Sequence, residues 1–115
     1  MNTLLAAAAV IIVATALYHS ALGEKRIITP LMAMDQRAFS KRGRRTIRFT
    51  WHLATLLMLL TAATVAWPGI PIGLVRLIGA AYLLLGLVAF YVSRGKHVSG
   101  PLFAAAGLMA LAGTA

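Results

Sequence analysis

Cysteine is absent from this 115-residue chain. Disulfides, thiolate metal sites and cysteine nucleophiles are therefore excluded, and the redox compartment stays open. Acid is almost as scarce, since Glu24 and Asp35 are the only carboxylate side chains. Neither sits near the middle of an apolar run, where small proton-coupled exporters carry theirs, and this counts against a proton-driven antiporter. The sequence offers no paired carboxylates, no Gly-rich phosphate loop after a strand and no nucleophile–base pair with an orienting acid. Catalysis would then have to come from a bound metal, so the sequence leans away from an enzyme.

What fills the chain is apolar: 61% of residues are hydrophobic, 11% are charged, and the mean hydropathy is +0.88. A soluble domain of this length needs more polar surface to cover its core, so the sequence describes one integral membrane domain over residues 1–115. The net charge of +9 is concentrated between apolar runs. In a membrane protein that pattern reports topology and contact with anionic headgroups, not nucleic acid.

A hydrocarbon layer of about 30 Å needs roughly 20 apolar residues in a helix. Four segments meet or approach that length, at 3–22, 47–67, 71–93 and 99–115. They predict an all-α, antiparallel four-helix transmembrane bundle, with the last span having to run to residue 115. Pro71 and Pro101 fit first helical turns, and Ser99 or Gly100 fits the cap of the last helix. Eight of the eleven Lys and Arg residues lie between 25 and 48, and Arg94 and Lys96 follow the third run. The first segment has no positive residues ahead of it, so it reads as an uncleaved span. Both termini are expected outside, with the 23–46 and 94–98 loops cytoplasmic. Arg76 alone falls on the other side, where it can snorkel. In the basic loop, Thr29 and Pro30 read as a helix start, and Leu31, Met32, Met34, Ala38 and Phe39 keep helical spacing until Gly43. A short interfacial helix is expected there.

All three histidines and Glu24 fall at the cytoplasmic ends of the predicted spans. His19 and His52 come to the same depth, roughly 5 Å inside the boundary at 1.5 Å per residue. Arg44, Arg48, His52 and Thr55 form one stripe along the second span. Thr15 and His19 share a face of the first, Ser20 and Glu24 a neighbouring one, and Gly23 is placed to turn Glu24 back toward the bundle. A carboxylate there needs a partner, with Arg48, Arg26 or a histidine in reach.

Three uses of the cluster stay open. His19, His52, His97 and Glu24 form a three-nitrogen, one-oxygen set suited to a transition metal such as Zn, Fe, Mn or Cu. His19 and His52 could be two axial ligands of a haem, making a membrane redox protein. Arg44, Arg48 and the histidines, with Trp51 as a wall, suit a lipid phosphate, a quinone headgroup or another small ligand. Against all three stands the plain reading of His, Trp, Tyr and Arg as interface anchors, and the surrounding basic charge disfavours a cation. Small residues at 6–9, 79–81, 86 and 104–113 allow close helix approach within the chain, in a homo-oligomer or in a larger membrane complex. An accessory subunit and an oligomeric small transporter are the remaining alternatives, the latter needing a polar route past Thr61 and Thr64.

The elements HSALGE at 19–24, RFTWHLATL at 48–56 and SRGKHVSGPLF at 93–103 resemble a group of small, four-span bacterial inner-membrane proteins of unknown function. The resemblance covers most of the chain. It implies a bacterial inner membrane and makes the three His-bearing elements look like one site, but it carries no activity.

Overall fold

A computed structural model describes residues 2–35, 37 and 39–115. They are helical, with no strand among the described residues. Helix α1 spans Thr3–Gly23, and a π-helical turn over Glu24–Ile28 carries it into α2, Thr29–Ala33. Helices α3, α4 and α5 span Lys41–Ala66, Ile72–Val92 and Ser99–Ala112. The unit from Thr3 to Ala33 runs on as one helix, and it, α3 and α4 are each long and apolar enough to cross a bilayer. The molecule is a membrane protein on that ground. Large apolar side chains such as Val10, Leu17, Leu57, Leu84 and Leu87 point outward, as lipid-facing surface does.

Helix starts and stops follow from single residues. Asn2 caps α1, its side-chain oxygen accepting from the Leu5 N–H at 2.9 Å, while its amide nitrogen donates to the Gly113 carbonyl at 2.6 Å. One side chain thus ties the start of α1 to the end of α5. Ser40 caps α3 by accepting from the Gly43 N–H at 3.0 Å, so Gly43 lies in the first turn of a helix and does not end one. Trp67 is extended ahead of Pro68, and Gly69 at φ +76° completes a tight turn into α4.

Several sequence expectations change here. The interfacial helix is not separate: α2 has five residues and continues α1. Thr29 does not cap it, because its N–H is already bonded to the Glu24 carbonyl across the π-turn. Pro30 has no N–H to give and its ring crowds the carbonyl four residues back, a conflict that the wider turn just before it relieves. Ala38, counted in the expected helix, lies outside the described residues. Helix α5 has 14 residues, about 21 Å at 1.5 Å per residue, and so falls short of a full span. Neither Ser99 nor Gly100 caps it: Val98 holds the cap position, and the His97 ring accepts from the Ser99 N–H at 3.2 Å.

The core runs along the helices in two patches. Ala9, Ile12, Ala62, Tyr82 and Ala106 make one, and Ala8, Val65, Val75 and Ala110 the other. Helix α5 packs on α4 and α1, and α1 packs on α3. At the α4–α5 seam Gly79 meets Ala110 and Gly107, and Gly86 meets Gly100 and Ala104. Small residues here bring backbones together within the chain, as does Gly113 against Leu5. Tyr82 is buried, bonded to the Thr61 hydroxyl at 2.6 Å and edge-on to Phe103. The Thr61 and Thr64 hydroxyls also donate to carbonyls of their own helix. Arg76 donates to the Thr114 carbonyl at 2.7 Å, pinning α4 to the turn that follows α5.

Candidate functional site

Helices α1 and α3 meet through a reciprocal clasp. The Trp51 indole N–H donates to the His19 carbonyl at 3.0 Å, and His19 Nε2 donates to the Trp51 carbonyl at 3.2 Å. The two rings stack 4.4 Å apart and 5° from parallel. Gly23 makes room for this: it is helical, and a Cβ on it would overlap the indole. Its role is therefore close packing, not the turn expected from the sequence. Trp51 stacks on His19 and directly precedes His52, so the clasp brings the two histidines to facing turns of α1 and α3.

On one side of the seam lies a polar network. Glu24 pairs with Arg48 through one carboxylate oxygen, and its other oxygen accepts from His52 Nε2 at 2.9 Å. The Ser20 hydroxyl meets His52 Nδ1 at 2.8 Å. A carboxylate only accepts, so in neutral His52 the proton sits on Nε2, and Nδ1 takes the hydrogen bond that Ser20 donates. Both ring nitrogens of His52 are thereby occupied.

On the other side a cavity of about 270 Å³ opens between α1 and the turn joining α4 to α5. His19 and Trp51 line it together with Tyr18, Arg26, Lys96, His97 and Ser99, and Leu22, Ile27 and Phe103 give it an apolar flank. The turn that delivers Lys96 and His97 needs two left-handed residues, Arg94 at φ 53° and Gly95 at φ 75°. Glycine takes that conformation freely, whereas arginine is held there at a cost of roughly 1 kcal/mol. Ser93 then accepts from the His97 N–H at 3.2 Å, and His97 Nδ1 accepts from the Ser99 hydroxyl at 2.6 Å.

The expected single cluster is thus divided. His19, Trp51 and His97 belong to the cavity, whereas Glu24, Arg48 and His52 belong to the network across the seam. Arg44 joins neither: it is buried and donates to the Met34 carbonyl at 2.6 Å, which anchors the chain beyond α2. Among the described residues no group of three or more His, Asp or Glu side chains is placed to hold a metal ion. With both nitrogens of His52 already bonded, the His19, His52, His97 and Glu24 donor set is not assembled, nor is a His19–His52 axial pair. Tyr18, Lys96 and Ser99 are the site residues that sequence reasoning did not select, whereas Ser20 and Arg26 enter it only as neighbours of Glu24.

Glu24 ties the end of α1 to α3 through Arg48 and His52. Glu24→Gln removes the charge at nearly the same shape, so it should lower the thermal midpoint in detergent. An unchanged midpoint in that variant would mean the pairing contributes nothing to the fold.

Comparison with family models, curated proteins and solved structures finds no match to the chain.

Proposed function

We propose that the protein is an antiparallel four-helix bundle of a bacterial inner membrane that binds an anionic lipid headgroup in the cavity beside His19 and Trp51. The cavity composition carries the reading: Arg26, Lys96 and His97 line a space that also has an apolar flank and a stacked aromatic wall. A phosphate would be drawn by the cations, and the acyl chains would lie along Leu22, Ile27 and Phe103. Opposed helix directions are supported by the seam pairings, in which Gly79 meets Gly107 while Gly86 meets Gly100. The charge asymmetry supports cytoplasmic placement of the basic segments and termini outside. A bacterial inner membrane is the compartment implied by the resemblance of the three His-bearing elements to small four-span proteins.

The test uses Trp51 as reporter. The chain has two tryptophans, and Trp67→Phe leaves one, in the cavity wall. Phosphatidylglycerol with brominated acyl chains, titrated into the detergent-solubilised protein, should quench Trp51 saturably, and brominated phosphatidylcholine should do so less. Each basic residue near a lipid surface is worth about 1 kcal/mol, so Lys96→Ala and Arg26→Ala should each weaken the apparent affinity about fivefold. Equal quenching by both lipids, unchanged in the two variants, would overturn the reading.

A further inference from the structure

Ser20, His52 and Glu24 stand in the order nucleophile, base and orienting acid, on two helices and without any sequence motif that announces them. Ser20 Oγ is 2.8 Å from His52 Nδ1, and His52 Nε2 is 2.9 Å from Glu24 Oε2. Both are hydrogen-bond distances, as such a constellation requires. Thr15, Thr46, Thr50, Thr61 and Thr64 each donate to a carbonyl of their own helix, the ordinary resting place for a hydroxyl on a helix. Ser20 bonds to an imidazole instead, as Ser99 does to His97, but His52 also carries a carboxylate on its other ring nitrogen. Arg48 pairs with the remaining oxygen of Glu24, so the acid is fixed from both sides.

Ser20 is half-buried, and a groove of about 450 Å³ lined by Arg45, Arg48, Phe49, His52, Leu53 and Leu56 opens beside the base. Its apolar residues suit an acyl chain and its two arginines suit the polar end of a lipid. The ester bonds of acyl lipids lie between hydrocarbon and headgroup, the depth at which the apolar run of α1 gives way to Glu24.

We infer that Ser20 is a catalytic nucleophile, with His52 as its general base and Glu24 as positioning residue, for hydrolysis of a carboxylic ester of an acyl lipid. Ser20 Oγ bonds to the ester carbonyl carbon as its proton passes to His52 Nδ1. The carbon–oxygen bond to the alcohol breaks, and the departing alcohol takes that proton. Water then attacks the acyl-serine, giving a proton to His52, which returns it to Ser20 Oγ as the carboxylic acid leaves. Glu24 stays ionised throughout, orienting the ring and stabilising the imidazolium. The ring nitrogens exchange their usual assignments, Nδ1 facing the nucleophile and Nε2 the acid, which leaves the proton transfers unchanged. Backbone amides near Ser20 are engaged in α1, so stabilisation of the oxyanion would fall to a side chain, and Arg48 is the cation within the network.

The inference is independent of the lipid cavity, and its test reads the hydroxyl directly. A fluorophosphonate probe is incubated with the full chain in detergent, and the modified residue is located by mass spectrometry among the four serines at 20, 40, 93 and 99. Labelling at Ser20 alone is expected, lost in Ser20→Ala. A positioned base contributes about 10²- to 10⁴-fold, so His52→Gln should slow labelling at least about a hundredfold. Glu24→Gln should slow it less and Glu24→Asp restore part of the rate, with thermal melts confirming that each variant is folded. Hydrolysis of a chromogenic butyrate ester should follow the same order. No label on folded wild-type protein, a label on another serine, or labelling that persists in folded His52→Gln would overturn the assignment.

Discussion

Gly107→Leu should cost the protein about 3 kcal/mol or more, the largest stability loss expected from a single substitution in this fold. A Cβ at Gly107 would lie 2.6 Å from the Gly79 carbonyl oxygen and 2.8 Å from the Leu83 Cα. Those are backbone atoms, which cannot swing aside as a side chain can, so α4 and α5 must separate along the seam that joins them. Between lipid-facing helices there is little hydrophobic force to restore the contact, because lipid tails are as apolar as the lost neighbours. Gly73 supplies the control. Nothing lies within 4 Å of the Cβ it would carry, and in an exposed first turn Gly73→Ala should stabilise by up to about 1 kcal/mol through helix propensity. Unfolding in mixed micelles would measure both. Equal effects at the two positions would mean that the α4–α5 approach is looser than described.

Gly23→Ala should have the second largest effect, about 1–3 kcal/mol, and it should act through one partner. The indole of Trp51 fills the space a Cβ would take, and it cannot yield easily, being stacked on His19 and bonded to the His19 carbonyl. The substitution should break the clasp and shift Trp51 emission to the red. A double-mutant cycle isolates the cause: in a Trp51→Leu background, Gly23→Ala should cost at least about 1 kcal/mol less. Additive costs would show that Gly23 matters for some reason other than the indole.

Much of the architecture is written in the hydropathy. The first three apolar runs became helices, because an unbroken run of 20 such residues has few other ways to satisfy its backbone in lipid. The first, however, runs on to Ala33, and the second begins at Lys41, ahead of its expected start at 47. The stripe of Arg48 and His52 on α3, and of Ser20 on α1 with Glu24 in the π-turn that continues it, is legible from i+4 spacing, and Arg48 and a histidine are among the partners expected for Glu24. What spacing does not contain is register between helices. Ser20 meets His52 only because Trp51 locks into the gap above Gly23, and a glycine's missing side chain looks the same in sequence whether it serves a turn or a neighbour. The cavity was hidden for a related reason: Lys96 and His97 reach α1 through two left-handed residues, one of them an arginine, which no propensity predicts. Arg44 shares the stripe with Arg48, yet burial against the Met34 carbonyl takes it out of any site.

The 14 residues of α5 also act on the surrounding lipid. A helix about 9 Å shorter than a 30 Å hydrocarbon layer cannot match it, and the mismatch is relieved by thinning, tilt or flanking polar groups. The long helices α1, α3 and α4 fix the thickness on their own flanks, so the shortfall falls on one side of the molecule. There the membrane should be drawn into a dimple around Arg76 and Thr114, whose contact holds α4 to the turn after α5. A protein with such a lopsided footprint should partition toward thin bilayers and gather short-chain lipids around its α5 side.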